Sequence, residues 1–210
     1  MKTTATKPGG KPQVKRAPAK LPGVVRIIGG QYKRSKLPVA NKPGLRPTPD
    51  RVRETLFNWL GRDLTGWRCV DVFAGTGALG FEAASRGAKE VLLCEQDAGL
   101  VAQLKALQLK LQANMVQIER GDGVSVLRRQ APASQQLVLL DPPFDSPLFD
   151  PALKAAAAVV ADSGYVYLEA PQAWTDETLA PYGLQVHRSG KAGAVHFHLL
   201  QRMGAQADTP

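Results

Sequence analysis

An acidic residue, two prolines and a phenylalanine end an apolar run in this chain, in the stretch VLLDPPFDS at residues 138–146. Proline cannot donate to a sheet and keeps the preceding residue extended, so the pattern predicts a strand whose last residue is Asp141. An amine on a nucleobase is a poor nucleophile until acceptors hold its hydrogens. Asp141 and the Pro142 carbonyl would supply those acceptors, Pro143 adds no competing N–H, and Phe144 offers a stacking face. The stretch predicts a clamp for such an amine, although Asp-Pro alone also marks an ordinary turn.

A glycine-rich turn precedes this stretch, in DVFAGTGALGFEAASRG at residues 71–87. Gly75, Gly77 and Gly80 have the spacing of a turn that lets backbone approach a ligand and lets a helix pack closely on a strand. The same spacing also occurs in purely structural turns. Here the turn follows an apolar strand and opens a helix, and Glu95 ends the next predicted strand, where its carboxylate can accept bonds from two ribose hydroxyls. We therefore predict a nucleotide site.

Two classes of enzyme bind a nucleotide in this geometry, namely NAD-dependent dehydrogenases and S-adenosylmethionine-dependent methyltransferases. A hydride-transferring enzyme has no evident use for Asp-Pro-Pro-Phe, whereas methyl transfer to an exocyclic amine does, and the pattern favours the second class. Asp122, in ERGDG after the third strand, could accept a bond from an adenine amino group. A carboxylate at that place could equally cap a helix.

The elements that must position these residues alternate along the chain. Alternating strands and helices imply parallel strands with crossover helices, and a final pair of extended segments, LQVHRSG and AVHFHLLQ, implies an antiparallel pair. We predict a Rossmann-like open α/β sheet of about seven strands, with its ligands at the carboxyl ends of the strands. The predicted strands are 69–73, 91–95, 116–119 and 137–141, and the predicted helices are 77–86, 97–112, 123–130 and 150–161.

The amino-terminal part of the chain is strongly basic. Residues 1–49 contain twelve of the 27 lysines and arginines and none of the 18 acidic residues. Such an arm suggests a polyanionic partner, because basic residues that neutralise phosphates release counterions. We predict a disordered basic tail at 1–22, which could also be only a solubilising tail, then a basic β-hairpin extension at 23–45, a catalytic domain at 46–203 and a flexible tail at 204–210.

The stretch GLRPTPDRVRETLFNWLG, at residues 44–61, predicts the start of a helix. Thr48 is the predicted N-cap, Pro49 takes the first helical position and Asp50 lies in the first turn.

Other residue types exclude several classes. No run of about eighteen apolar residues could span a bilayer and no secretory signal is visible, so a cytoplasmic protein is expected. Cys69 and Cys94 lie in apolar segments and are expected to be buried reduced thiols. His196 and His198 fall on one face of a predicted strand, but the sequence offers no third ligand to complete a metal site. These two residues and His187 are therefore expected to be structural.

Four stretches in this order carry a resemblance: RIIGGQYKRSKLPV, GLRPTPDRVRETLFNWL, DVFAGTGALGFEAASRGA and LLDPPF. Together they resemble the RsmD family of bacterial ribosomal RNA guanine-N2 methyltransferases over roughly residues 24–202. The resemblance implies a Rossmann-like methyltransferase fold, S-adenosylmethionine as the donor, no metal, and a guanine of 16S RNA in the small subunit as the acceptor. A monomer is expected. The proline-rich residues 1–22 are longer than the family leads us to expect.

The resemblance also assigns residues. It places the target base at Asp141 to Phe144, the donor ribose at Glu95 with Gln96, and the adenine at Asp122. The remaining predicted donor-site residues are Asp71, Phe73, Gly75, Thr76, Gly77 and Thr48. The predicted RNA-binding residues are Arg26, Lys33, Arg34, Lys36, Arg46, Arg51 and Arg53, although the last three could be the solvated charges of an ordinary helix.

Two other functions stay open at this point. Asp-Pro-Pro-Phe would serve adenine-N6 methylation of DNA or RNA equally well, and a non-catalytic RNA-binding assembly factor could use the same fold. Intact Gly75, Gly77, Glu95 and Asp141 argue against the assembly factor. The modified nucleotide, the assembly state of the substrate and the oligomeric state are not encoded in any recognisable pattern.

Overall fold

The computed structural model describes residues 23–42 and 45–204, so the predicted tail at 1–22 and all but the first residue of the predicted tail at 204–210 lie outside the described residues. The strands are β1 (Val24–Arg26), β2 (Lys36–Pro38), β3 (Arg68–Asp71), β4 (Glu90–Glu95), β5 (Val116–Arg120), β6 (Gln135–Leu140), β7 (Val160–Ala170), β8 (Leu184–Ala192) and β9 (Val195–Arg202). The helices are α1 (Asp50–Trp59), α2 (Ala78–Ser85), α3 (Ala98–Leu111), α4 (Gly123–Arg128), α5 (Phe149–Val159) and α6 (Asp176–Leu179), followed by a 3₁₀ turn (Ala180–Tyr182).

A seven-stranded sheet organises the chain, in the order β5-β4-β3-β6-β7-β9-β8. Strands β3 to β7 pair in parallel, and β9 is antiparallel to both of its neighbours, β7 and β8. The predicted open α/β sheet with an antiparallel carboxyl-terminal pair is therefore confirmed. Each parallel connection passes through a helix, as the alternation of apolar strand and helix patterns requires.

Helices cover both faces of the sheet. Along β6, Leu137 and Leu139 face one core together with α1, α2 and α3, whereas Val138 and Leu140 face a second core with α4, α5 and α6. Side chains alternate between the faces of a strand, so a strand covered on both faces reads as a continuous apolar run. This is why β6 has no polar residue in its last four positions.

Strands β1 and β2 form a separate antiparallel pair, joined by residues 27–35. Val25, Ile27 and Leu37 from this segment are buried in the same core as α1 and α2. The basic side chains of the segment therefore project from a backbone that is packed onto the main sheet layer.

Helix α1 begins one residue later than the cap prediction requires. Pro49 is the N-cap, in an extended conformation, and no side chain caps the helix, so the prediction of Thr48 as N-cap is wrong. The hydroxyl of Thr48 is used elsewhere, in a hydrogen bond to the main sheet. None of the described helices is long and apolar enough to cross a membrane.

Candidate active site

The strand order brings the predicted functional residues to one edge of the sheet. Asp71 is the last residue of β3, Glu95 is the last residue of β4, and Asp141 directly follows β6. Because β4, β3 and β6 are adjacent and parallel, their carboxyl ends meet at this edge. The glycine turn and the Asp-Pro-Pro-Phe stretch, far apart in sequence, therefore lie side by side.

The glycine turn connects β3 to α2 and has the backbone that its sequence predicts. Gly77 is the N-cap of α2 and adopts a left-handed conformation with a φ of 77°, which favours glycine. Gly80 lies where α2 crosses the sheet, and a Cβ at this position would be 2.1 Å from Leu93 Cδ2. The turn is thus shaped both for its own bend and for close packing of the helix that follows it.

The carboxylate of Glu95 ties the glycine turn to the next strand. Its Oε2 accepts the backbone N–H of Gly75 at 2.9 Å, and its Oε1 accepts that of Asp97 at 2.8 Å. The side chain is half-buried, and Gln96 beside it is exposed. Each carboxylate oxygen has a second lone pair, so the fixed carboxylate can still accept bonds from a ligand at the edge of the sheet.

Asp122 caps a helix in this structure, as one of its two interpretations predicts. Its Oδ2 accepts the backbone N–H of Ser125 at 2.9 Å at the start of α4. Hydrogen bonds from Ser125 lower the pKa of Asp122. The residue is exposed next to Glu95's strand, and its contact with an adenine stays a prediction.

Strand β6 ends at Leu140, one residue before the predicted end at Asp141, and the Asp-Pro-Pro-Phe stretch leaves the sheet directly after it. Asp141 is half-buried, Pro142 is buried, and Phe144 is half-buried. Burial raises the pKa of Asp141 well above its ordinary value, and the nearby charges of Glu169 and Asp71 raise it further. A buried carboxylate with a raised pKa is a stronger base, so it forms stronger hydrogen bonds to any donor that enters the site.

Glu169 is a functional candidate that the sequence interpretation missed. It is buried near the end of β7, and its Oε1 accepts hydrogen bonds from the hydroxyls of Thr48 at 2.6 Å and Tyr167 at 2.9 Å. Strand β7 lies next to β6, and the pair Leu140 and Leu168 immediately precedes Asp141 and Glu169. A carboxylate closing the apolar strand YVYLEA is the same signal that identified Glu95 and Asp141, and it could have found Glu169.

Three neighbouring strands therefore present carboxyl groups at this edge, namely Asp71, Asp141 and Glu169. Burial raises the pKa of Asp71 to about 7, partly offset by hydrogen bonds from the backbone of Gly80 and Phe73. Among the described residues, no lysine or arginine forms an ion pair with any of the three. A cationic ligand bound at this edge would favour the ionised forms of these carboxyls.

The predicted RNA-binding residues divide into two groups. The exposed ones are Arg26, Lys33, Arg34, Lys36, Arg46 and Arg51. Arg53 is completely buried in α1 and forms an ion pair with Glu82 of α2, so its prediction as an RNA contact is corrected. Helical spacing explains the difference, because Arg53 lies three and four residues before buried Leu56 and Phe57 on the inner face of α1, whereas Arg51 is exposed.

The remaining candidate groups are the two cysteines and the carboxyl-terminal histidines. Cys69 and Cys94 are buried free thiols, and burial raises the pKa of each to about 12. His198 is buried, and its Nε2 accepts the backbone N–H of Trp174 at 3.1 Å. Within residues 23–42 and 45–204, no group of three or more His, Cys, Asp or Glu side chains is arranged to hold a metal ion.

Comparisons with known proteins agree with this geometry. Residues 25–201 match the family model described as "Conserved hypothetical protein 95". The chain is 38% identical over 182 residues to "Ribosomal RNA small subunit methyltransferase D" of Escherichia coli K12, covering 86% of this chain and 91% of that protein. It is 46% identical over 134 residues to the protein of the same name from Haemophilus influenzae, covering 62% of this chain and 69% of that protein.

A solved structure is similar over the same region. The structure of yhhF from Escherichia coli superimposes with a TM-score of 0.75 at 40% identity, covering 88% of this chain and all of that one. The residues 25–201 that match the family model include the glycine turn and the Asp-Pro-Pro-Phe stretch.

Proposed function

The chain belongs to the ribosomal RNA small subunit methyltransferase D family, and from that premise we propose that it methylates the exocyclic N2 of a guanine in 16S ribosomal RNA. S-adenosylmethionine is the methyl donor in this proposal, and no metal takes part. The observation that carries it is the meeting of the Gly75–Glu95 contact and Asp141 at one edge of the sheet. The Gly75–Glu95 pair suits a nucleoside, and the Asp141 carboxylate suits the amine of a base.

The residues at the donor side fit a nucleoside with a cationic sulfur. Glu95 and Gln96 would receive the ribose, Asp122 the adenine, and the glycine turn, in which Gly75 is half-buried, the rest of the donor. The other donor-site residues that we propose are Asp71, Phe73, Gly75, Thr76 and Gly77. Carboxyl groups without a paired lysine or arginine favour a cationic ligand, and S-adenosylmethionine supplies an electrophilic methyl group on a sulfonium.

The residues at the target side would hold the amine for attack. Asp141 accepts a hydrogen from guanine, the Pro142 carbonyl accepts a second, and Phe144 stacks on the base. While the amine nitrogen bonded to the methyl carbon, the carbon–sulfur bond of the donor would break and leave a neutral thioether, and the positive charge developing on the nitrogen would strengthen its bond to Asp141. The amine proton then leaves to Asp141 or to water.

The partner in this proposal is ribosomal RNA, free or in the small subunit, bound by a monomer. The exposed basic residues of the β1–β2 segment and of the residues before and in α1 would contact its phosphates, since Lys33, Lys36 and Arg46 all point into solvent. Thr48 is also a predicted donor-site residue. Its hydroxyl donates to Glu169 and not to the glycine turn.

The proposal is tested by the identity of the product. Purified protein, isotopically labelled S-adenosylmethionine and 16S RNA from cells that lack this protein should yield N2-methylguanine on complete digestion, measured by mass spectrometry. N6-methyladenine would show instead that the target is the adenine amine, which Asp-Pro-Pro-Phe serves equally well. Absence of any methylated nucleoside with both free RNA and small subunits would leave the assembly-factor function.

Glu95 should control donor affinity. The Glu95→Ala variant is expected to bind S-adenosylmethionine more weakly by about 1 to 3 kcal/mol, because ribose hydroxyls lose a charged acceptor and the Gly75 N–H loses its partner. Isothermal titration calorimetry measures this. Glu90→Ala, which removes an exposed carboxylate from the other end of β4, should leave the affinity unchanged. Binding of NAD in place of S-adenosylmethionine would overturn the donor assignment.

The exposed lysines of the β1–β2 segment should set part of the salt dependence of RNA binding. Each phosphate contact adds about one to the slope of log affinity against log salt, so Lys33→Ala with Lys36→Ala should reduce that slope by about two. Fluorescence anisotropy at several salt concentrations measures the slope. Lys89→Ala with Lys110→Ala removes two exposed lysines at the opposite edge of the sheet and is the matched control. Equal slopes for the two double variants would exclude the segment as the RNA contact.

A further inference from the structure

We propose that Glu169 is a positioning residue for Asp141, acting as the second carboxyl of a pair that sets when Asp141 is ionised, and this rests on the proposed function. The two groups belong to adjacent parallel strands and follow the paired residues Leu140 and Leu168 directly. The proposed reaction needs one carboxyl to accept the amine hydrogen, and Glu169 is a second one on the adjacent strand. Its presence in a buried position therefore calls for a role.

The carboxylate of Glu169 is held in place from two sides. The Tyr167 hydroxyl donates to Oε1 from the same strand, and the Thr48 hydroxyl donates to the same oxygen from two residues before the start of α1. Both donors stabilise the ionised form, so they partly offset the rise in the pKa of Glu169 that burial causes. The side chain of Glu169 is thus held in place by two donors that favour its ionised form.

The groups that face Glu169 leave Asp141 as its main electrostatic partner. Asp71 on β3 is the next carboxyl along the edge and also raises the pKa of Asp141. Across β9 the paired residue is Phe197, which is apolar. On α1, the guanidinium of Arg53 donates to Glu82 and to the carbonyl of Thr48. Two buried carboxyls without a paired cation cannot both ionise easily, and their protonation is coupled.

The consequence for the reaction is a dependence on pH. Asp141 must be ionised to accept the amine hydrogen, so activity falls as the pH drops below the pKa of Asp141. The charge of Glu169 raises that pKa. Replacing Glu169 by a neutral residue of the same shape should therefore lower the pKa of Asp141. The fall in activity on the acidic side of the pH profile would then occur at lower pH.

The decisive variant is Glu169→Gln. We expect its acidic limb in a profile of kcat against pH to move down by about one unit relative to the unmodified protein. A merely structural role would reduce activity by the same factor at every pH and leave the limb in place, which would overturn the proposal. Glu54→Gln, which removes an exposed charge on α1, is the control and should not move the limb.

A second pair of variants keeps the test independent of the folding of Glu169→Gln. Thr48→Val removes one hydroxyl donor, makes Glu169 easier to protonate, and should move the limb in the same direction by a smaller amount. Thr48→Ser keeps the hydroxyl and should leave the limb unchanged. If the acidic limb stays in place in Thr48→Val as well as in Thr48→Ser, the proposal is also overturned. Failure of the unmodified protein to make N2-methylguanine would instead refute the proposed function, so the two failures are distinguishable.

Discussion

Asp141→Ala should bind both donor and RNA and yet lose about 100-fold or more in turnover. The carboxylate acts most strongly when charge develops on the amine, so its removal raises the barrier more than it weakens binding. The expected factor corresponds to deleting one well-placed group that stabilises charge in a site of low dielectric constant. Single-turnover methyl transfer, together with calorimetry for the donor, separates the two effects.

Asp145→Ala is the matched control for this variant. Asp145 lies four residues further along the same loop and is exposed, whereas Asp141 is half-buried at the end of β6. Its loss removes the same charge from the same segment without touching the acceptor position, and turnover should stay near that of the unmodified protein. Normal turnover of Asp141→Ala would mean that the amine is activated by another group.

The second large effect is expected on stability, from Arg53→Met. The guanidinium of Arg53 donates to the carbonyls of Thr48 at 3.2 Å and Arg26 at 2.9 Å, and it forms ion pairs with Glu82 and Asp50. Arg53 and Glu82 are completely buried, so their ion pair has no competition from water, whereas Asp50 is exposed. Methionine fills a similar volume but supplies none of the donors.

Glu82 is the reason that the loss should be large. Its carboxylate is also completely buried, and it accepts the backbone N–H groups of Ile28 at 2.7 Å and Gly29 at 2.9 Å, as well as a bond from Arg86. Removing Arg53 leaves this buried charge with one cationic partner in place of two. Breaking a buried pair typically costs about 3 to 5 kcal/mol, and we expect a decrease of that size in the free energy of unfolding.

Denaturant unfolding at neutral pH measures the change, with Arg51→Met as the control. Arg51 precedes Arg53 by two residues in the same helix but is exposed, and its substitution should change the free energy of unfolding by less than about 0.5 kcal/mol. The two variants should also differ in RNA binding, with Arg51→Met alone reducing the salt slope. Equal stabilities of the two variants would show that the Arg53–Glu82 pair does not hold α1, α2 and the β1–β2 segment together.

The sequence by itself determined the order of the elements and the edge at which the chemistry lies. A strand covered on both faces must be apolar throughout, so β4 and β6 are visible as short apolar runs, and helices of period 3.6 separate them. The polar residue that ends such a run stands at the carboxyl edge, which is how Glu95 and Asp141 could be found. Gly77 and Gly80 are readable for a related reason, since a positive φ and a close helix crossing each exclude a side chain locally.

Only the tertiary structure decided the partners of the polar residues around this edge. Thr48 has the local pattern of a helix cap, but its hydroxyl bonds to Glu169, 121 residues away. Arg51 and Arg53 look alike in sequence, yet one is exposed and the other is buried against Glu82. Caps and turns depend on neighbours in the chain, whereas a buried charge is stable only beside a compensating group that folding brings from elsewhere. The sequence does not show which groups become partners, because they meet only when β7 lies beside β6 and α1 packs against α2.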